Sequence, residues 1–210
     1  PKDTARQWIV MSERLCVSTD GGASFQVVAL PVPFRGNVGY DPARRALYGA
    51  TKGGLQRSLD LGLTWSRLPF DFVPYAVDVL GNGDLVVSDD GRLMVIPSAK
   101  IESGLLETSM IRLTLGADLA AAACGQRTFR PVVCDGQNVV VFPDDGWNHS
   151  SCVRELGPLL SRDGGKTFRW IVYDLPTQNA TGVGLRNGTL IFGGRGIQAS
   201  TRFSDVQEAD

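Results

Sequence analysis

The sequence has a single histidine, four cysteines and no Cys-x-x-Cys motif among its 210 residues. One histidine is too few for a usual zinc site, so we expect neither a metal nor a cofactor. Basic and acidic residues nearly balance, 21 against 22, and they are interspersed, which argues against a nucleic-acid partner. No segment approaches the roughly 18 apolar residues of a membrane-spanning helix. The chain begins at Pro1 rather than Met, so we expect that a leader or a longer parent was removed, or that the chain was shortened there.

The chain is rich in glycine, with 25 residues, and its β-branched and aromatic runs are broken by Gly, Asn and Asp, as in all-β proteins. An eight-residue pattern, Ser-x-Asp-x-Gly-x-Ser/Thr-aromatic, occurs three times with aliphatic runs on both sides, which indicates an internal repeat. Its defining residues are Ser18, Asp20, Gly22 and Phe25, then Ser58, Asp60, Gly62 and Trp65, then Ser161, Asp163, Gly165 and Phe168.

Turn chemistry explains the pattern. Hydroxyl and carboxylate oxygens accept from nearby backbone N–H groups, and the glycine supplies a positive φ. The aromatic residue begins the next strand and packs its ring under the turn. Each copy therefore predicts a hairpin corner, and its polar residues are expected to be structural rather than ligand-binding.

The pattern resembles the Asp-box (BNR) repeat of β-propellers, a family that includes sialidases, sortilin, photosystem assembly factors, and phage or secreted bacterial proteins. In that family the box joins the third and fourth strands of a blade. The resemblance implies an all-β fold, a small propeller of five blades with three to four antiparallel strands each, as one domain spanning residues 1–210. The expected blades are 1–33, 34–70, 71–116, 117–176 and 177–210.

The two ends fit a ring poorly. The first blade has no room for an innermost strand, and the tail 204–210 is a poor outer strand for the fifth. Closure would have to be irregular, with a partner chain or a longer parent supplying the rest, because an open sheet edge invites aggregation. This favours a component of a larger assembly.

The longest interruption within a blade runs from Pro143 to Leu156 in the fourth blade, and the resemblance implies that it lies on the face opposite the corners. Long loops in compact domains are often functional. We expect it to hold ligand-binding residues unless its tryptophan folds back over the loop's own base. The candidates are Asp144, Asp145, Trp147 and His149, together with Arg130 from the blade's first strand.

Cys124 and Cys152 are expected to lie at the same face of the fourth blade, so a disulfide that staples the insertion is geometrically reasonable. Cys16 and Cys134 fall within predicted strands and are expected to be small buried thiols.

Two functions are compatible with these features. The first is a non-catalytic recognition or structural module that binds a glycan or a protein, in a phage tail or a secreted bacterial protein; its location would be extracellular, periplasmic or virion. The second is a reduced sialidase-like glycoside hydrolase, since Phe129-Arg130-Pro131 resembles the sialidase segment whose arginine grips a carboxylate. The Ile of that segment is missing, and no other catalytic residue can be assigned. A glycosidase also needs two carboxylates roughly 5–10 Å apart across a pocket, which Asp144 or Asp145 would have to supply.

Overall fold

The computed structural model describes residues 7–10, 14–30, 32–89, 92–101, 111–113, 128–144, 158–172, 180–186, 189–194, 197–202 and 207–209. These residues form five antiparallel sheets and one short 3₁₀ helix, Ser98–Lys100. Sheet one contains β1 (Gln7–Val10), β2 (Arg14–Ser18) and β3 (Gln26–Ala29). Sheet two contains β4 (Phe34–Asp41), β5 (Ala46–Thr51), β6 (Gly54–Ser58) and β7 (Ser66–Arg67). Sheet three contains β8 (Ala76–Val79), β9 (Leu85–Asp89), β10 (Arg92–Ile96) and β11 (Ile111–Leu113).

Sheet four contains β12 (Thr128–Asp135), β13 (Asn138–Asp144), β14 (Leu159–Ser161), β15 (Arg169–Val172) and the C-terminal β19 (Gln207–Ala209). Sheet five contains β16 (Ala180–Arg186), β17 (Thr189–Gly194) and β18 (Ile197–Arg202). Apart from β19, the strands of each sheet follow one another along the chain as an up-and-down meander. The all-β class expected from the sequence is therefore confirmed.

The sheets are arranged by their first strands. β4 contacts β8, β8 contacts β12, and β12 contacts both β16 and β4. One hydrogen bond crosses directly between β4 and β12, from Asn37 Nδ2 to the Val132 carbonyl oxygen at 2.9 Å. The first strands of sheets two to five therefore lie next to one another.

The core lies between neighbouring sheets, and the period-2 alternation of side chains explains how one strand serves two cores. In β10, Met94 and Ile96 pack with sheet two, whereas Leu93 and Val95 pack with sheet four. A strand buried on both sides reads as a continuous apolar run, which is why Leu93–Ile96 shows no polar alternation. Sheets one and two meet through a smaller cluster that includes Leu15, Val17 and Leu47.

The tail differs from the sequence-based expectation. We expected 204–210 to lie in the fifth blade, as a poor outer strand. β19 instead pairs with β15 at the outer edge of sheet four, with Ile171 opposite Glu208. An exposed outer strand offers unpaired backbone groups that any nearby extended segment can satisfy, and hydrophobic pattern alone does not show which edge a short polar segment will choose.

Candidate functional site

The three predicted corners have the same hydrogen-bonded geometry, and they connect β2 to β3, β6 to β7 and β14 to β15. In the first corner Ser18 Oγ donates to Asp20 Oδ1 at 2.8 Å and accepts the Gly22 N–H at 2.8 Å. Asp20 also accepts the backbone N–H and the hydroxyl of Ser24, at 2.9 and 2.6 Å.

The same four contacts recur in the other two corners. In the second corner Gly62 N–H donates to Ser58 Oγ at 2.7 Å, and Thr64 Oγ1 donates to Asp60 Oδ2 at 2.6 Å. In the third, Gly165 N–H and Thr167 Oγ1 make the equivalent bonds to Ser161 and Asp163, both at 2.7 Å.

These bonds shift the pKa of the corner carboxylates. The Ser24 hydroxyl and N–H, with Ser18, lower the pKa of Asp20 to about 2. Burial raises the pKa of Asp163, but donors from Thr167, Ser161 and the Lys166 N–H outweigh it and bring the pKa to about 2. Asp60 shows the same balance, with a lowered pKa. The corner carboxylates are thus ionised at neutral pH and hydrogen-bonded within their own turns.

A cleft of about 730 Å³ opens between the first and second corners. One wall comes from sheet one and its corner, through Val17, Thr19, Ser24 and Gln26. The other wall comes from the second corner and from the turn between β4 and β5, through Leu59, Asp60, Leu61, Leu63, Arg44 and Arg45. The cleft therefore lies on the face that carries the corners.

The apolar part of the cleft is exposed. Leu59 and Leu63 are 63% and 50% accessible to solvent, while Leu61 between them is only 6% accessible. Large exposed apolar side chains at a concave surface are typical of binding sites, because covering them with a ligand removes apolar surface from water, which lowers the free energy.

The polar part is built on a fixed turn. The buried carboxylate of Asp41 accepts the N–H groups of Ala43 and Arg44, at 2.9 and 3.1 Å, and pairs with the Arg44 guanidinium at 2.7 Å. Arg45 follows with φ 53°, and Leu61 has φ 64°. These are the two non-glycine residues with positive φ in the described part of the chain, and both line this cleft. Backbone strain of this kind is often concentrated at functional sites.

The ligand-binding residues predicted from the sequence either lie away from this cleft or fall outside the residues that the structure describes. Asp145, Trp147 and His149 lie outside the described residues, as do Cys124 and Cys152. Arg130 lies in β12 and Asp144 ends β13, where it is opposite Thr128 in the register. The other end of this hairpin carries Gln137, whose carbonyl accepts the Gly164 N–H of the third corner at 2.8 Å. Arg130 and Asp144 thus share the end of sheet four away from the corner, and their role in binding stays a prediction.

Cys16 and Cys134 are free thiols, and both are partly rather than fully buried. Within the residues that the structure describes, three or more potential metal ligands do not come together. The described part also contains no helix that is long and apolar enough to span a membrane.

The comparisons with known proteins show the fold. No protein-family model matches the sequence, and no curated protein sequence matches it. YCF48 from Cyanidioschyzon merolae is a structural neighbour with a TM-score of 0.56 and 18% identity, covering 99% of this chain and 68% of its own. A structure of YCF48 bound to D1 peptide has a TM-score of 0.51 and 14% identity, over 93% of this chain and 63% of that one.

Two bacterial proteins are also similar. PorZ, a surface component of the type-IX secretion system of Porphyromonas gingivalis, has a TM-score of 0.59 and 15% identity, covering 97% of this chain and 24% of PorZ. The extracellular domain of BT4673 from B. thetaiotaomicron has a TM-score of 0.62 and 14% identity, covering 98% of this chain and 29% of that one. These neighbours are β-propeller-like proteins. The chain spans only part of each, from about two thirds of YCF48 to about a quarter of PorZ.

The cleft was not predicted from the sequence. Two signals were present: leucine stands at position 61, where the first and third corners have Gly21 and Gly164, and Arg44-Arg45 sits in a turn beside it. Neither signal identifies a site until the fold brings the second corner next to the first.

Proposed function

We propose that this chain is a non-catalytic β-propeller module whose five sheets are five blades, and that it binds a segment of a partner protein in the cleft between the first two corners. The observation that carries the proposal is the exposed pair Leu59 and Leu63 at the mouth of a 730 Å³ cleft. Exposed apolar side chains in a concave site favour a partner that brings apolar side chains of its own.

Two further observations support a protein partner. One structural neighbour, YCF48, has been seen with a bound peptide. In the described corners, the conserved hydroxyls and carboxylates are already hydrogen-bonded within their own turns. They are therefore poorly suited to form the hydrogen bonds that sugar hydroxyls make with water and would lose on binding. We therefore favour protein over glycan as the ligand at this cleft.

The setting that we propose is a component of a larger assembly outside the cytoplasm, on a cell surface or in a virion. The neighbours described as a bacterial surface component and an extracellular domain support such a location. Among the described residues, sheets one and five have three strands each and sheet four has five, and this unevenness supports an assembly in which a partner completes the edges.

Selection from a random heptapeptide phage library on the immobilised chain tests the function, with Leu59→Ser/Leu63→Ser as the comparison. We expect peptides to be enriched on the native chain and their binding to be lost on the variant, whose two changes remove only exposed apolar surface. A glycan array run with the same two proteins tests the alternative ligand. The proposal would be contradicted if the enriched peptides also bound the Leu59→Ser/Leu63→Ser variant, or if the native chain bound glycans and no peptide.

A further inference from the structure

The second corner differs from the other two in its side chains, although all three share one hydrogen-bond network. At the three variable positions between the conserved residues, the first corner has Thr19, Gly21 and Ala23, and the third has Arg162, Gly164 and Lys166. The second has Leu59, Leu61 and Leu63. Since Thr/Gly/Ala and Arg/Gly/Lys sustain the same turn, the three leucines are not needed to form it.

The backbone conformation that the turn requires is unfavourable for Leu61. Its φ of 64° matches the 74° and 75° of Gly21 and Gly164, so it adopts a conformation that suits glycine. A side chain in this region brings Cβ too close to the following carbonyl oxygen. A strained leucine where glycine would serve indicates that its side chain has a role in the cleft, as the floor between two exposed leucines.

Among the described residues that line the cleft, the charged ones are Arg44, Arg45 and Asp60. Asp60 is engaged with Ser58 Oγ at 2.8 Å and with the Thr64 N–H at 2.8 Å, besides the Thr64 hydroxyl. Arg44 pairs with Asp41. Arg45 is exposed, and no hydrogen bond or ion pair holds its guanidinium within the described residues. The turn that Asp41 holds in place thus positions the Arg45 guanidinium beside the leucines of the cleft.

We infer that the cleft selects an acidic peptide: one Asp or Glu side chain pairs with Arg45, and an adjacent leucine-sized side chain covers Leu59 and Leu63 above Leu61. This inference rests on the proposed function and names its partner chemistry. Guanidinium binds carboxylate through two parallel N–H···O bonds, and the apolar neighbours lower the local dielectric and strengthen the pair.

The probes are two fluorescein-labelled peptides, Leu-Asp-Leu-Glu-Leu and its amide counterpart Leu-Asn-Leu-Gln-Leu, titrated with the full chain by fluorescence anisotropy. We expect the acidic peptide to bind about tenfold tighter, a difference that corresponds to about 1.4 kcal/mol. Arg45→Gln should remove this preference and leave the amide peptide unaffected. Arg45→Lys should retain part of it, because a lysine keeps the charge but loses the bidentate geometry.

A second variant tests the apolar part. Leu59→Thr/Leu61→Gly/Leu63→Ala gives the second corner the variable residues of the first, so the turn should persist while both peptides lose affinity. The matched control, Arg162→Thr/Lys166→Ala, makes the equivalent change at the third corner and should leave both affinities as they are.

Equal affinity for the two peptides, or an unchanged preference in Arg45→Gln, overturns the acidic selection. If library peptides still bind the native chain and are lost on Leu59→Ser/Leu63→Ser, the proposed function survives that result. If the acidic peptide fails to bind and the library yields no enriched peptide, both are wrong.

Discussion

The backbone N–H of Cys134 in β12 donates to the Asp78 carboxylate in β8 at 2.7 Å, which joins the first strands of sheets three and four. The other carboxylate oxygen of Asp78 accepts the Val79 N–H at 2.9 Å. Gly39 of β4 also lies against Asp78, where a Cβ would come within 2.9 Å of the Asp78 Cα. Three first strands therefore converge on one carboxyl group.

This position makes Asp78 sensitive to pH. Burial raises its pKa to about 7, and the N–H groups of Cys134 and Val79 lower it only in part. Burial, and then the charge of Asp78, raise the pKa of the Cys134 thiol well above its usual value. The folded protein therefore holds a proton on Asp78 over a range in which the unfolded chain, with an aspartate pKa of about 3.9, has released it.

We predict that this carboxyl stabilises the fold fully below pH 4 and that its contribution is lost as the pH rises through 7. Asp78→Asn removes the titrating proton, so the free energy of unfolding should change less between pH 5 and pH 8 in the variant than in the native chain. Urea unfolding at both pH values measures this difference. The pKa values of the corner carboxylates Asp20 and Asp163 are about 2, so the stability that they contribute does not change between pH 5 and pH 8. An equal change in the two proteins would contradict the prediction.

The second prediction concerns Leu61. Alanine at this position loses the buried leucine side chain and keeps the positive φ, whereas glycine loses the side chain and relieves the strain, which is worth about 1–2 kcal/mol. We expect Leu61→Gly to be more stable than Leu61→Ala by about 1 kcal/mol, after the greater freedom of glycine in the unfolded chain is included. Thermal unfolding of the two variants compares them. The reverse order would show that the strain at Leu61 is negligible.

The corners and the cleft show what could be predicted from this sequence. Each corner is a local structure, formed by residues no more than seven positions apart, so the pattern beginning at Ser18 or Ser161 contains both partners of each of the four hydrogen bonds that the corners share. The pairing of β19 with β15 is not local: it joins Glu208 to Ile171, and no pattern in either segment favours the other. The cleft could not be predicted for the same reason, since Ser24 and Leu63 belong to the corners of different sheets and only the packing of those sheets makes a common surface.

The third prediction tests the close packing within sheet two. Gly49 of β5 lies under the Phe34 ring, and a Cβ there would overlap the ring edge. Phe34 in turn meets Trp65 of the second corner edge to face, with ring centroids 4.9 Å apart. Gly49→Ala should therefore push Phe34 against Trp65 and destabilise the chain by about 1–3 kcal/mol. Urea unfolding gives the change in the free energy of unfolding, and a shift in tryptophan fluorescence should accompany it.

As a control, Gly136→Ala adds a Cβ that meets no atom within 4 Å. The loss of stability in this variant should come only from placing a non-glycine residue at a φ of 63°.

The last prediction isolates a corner carboxylate. Asp163 accepts hydrogen bonds from Ser161 Oγ, from the Lys166 N–H and from both the N–H and hydroxyl of Thr167, at 2.7 to 3.0 Å. Because these donors stabilise the ionised form, the stability that the carboxylate contributes is present above pH 4 and lost as the pH falls towards 2. Asp163→Ala should cost about 1–2 kcal/mol at pH 6, since several exposed hydrogen bonds are removed together. The difference between native chain and variant should narrow at pH 2.5. Unfolding curves at the two pH values test this, and a cost that stays constant would mean that Asp163 acts through its shape rather than its charge.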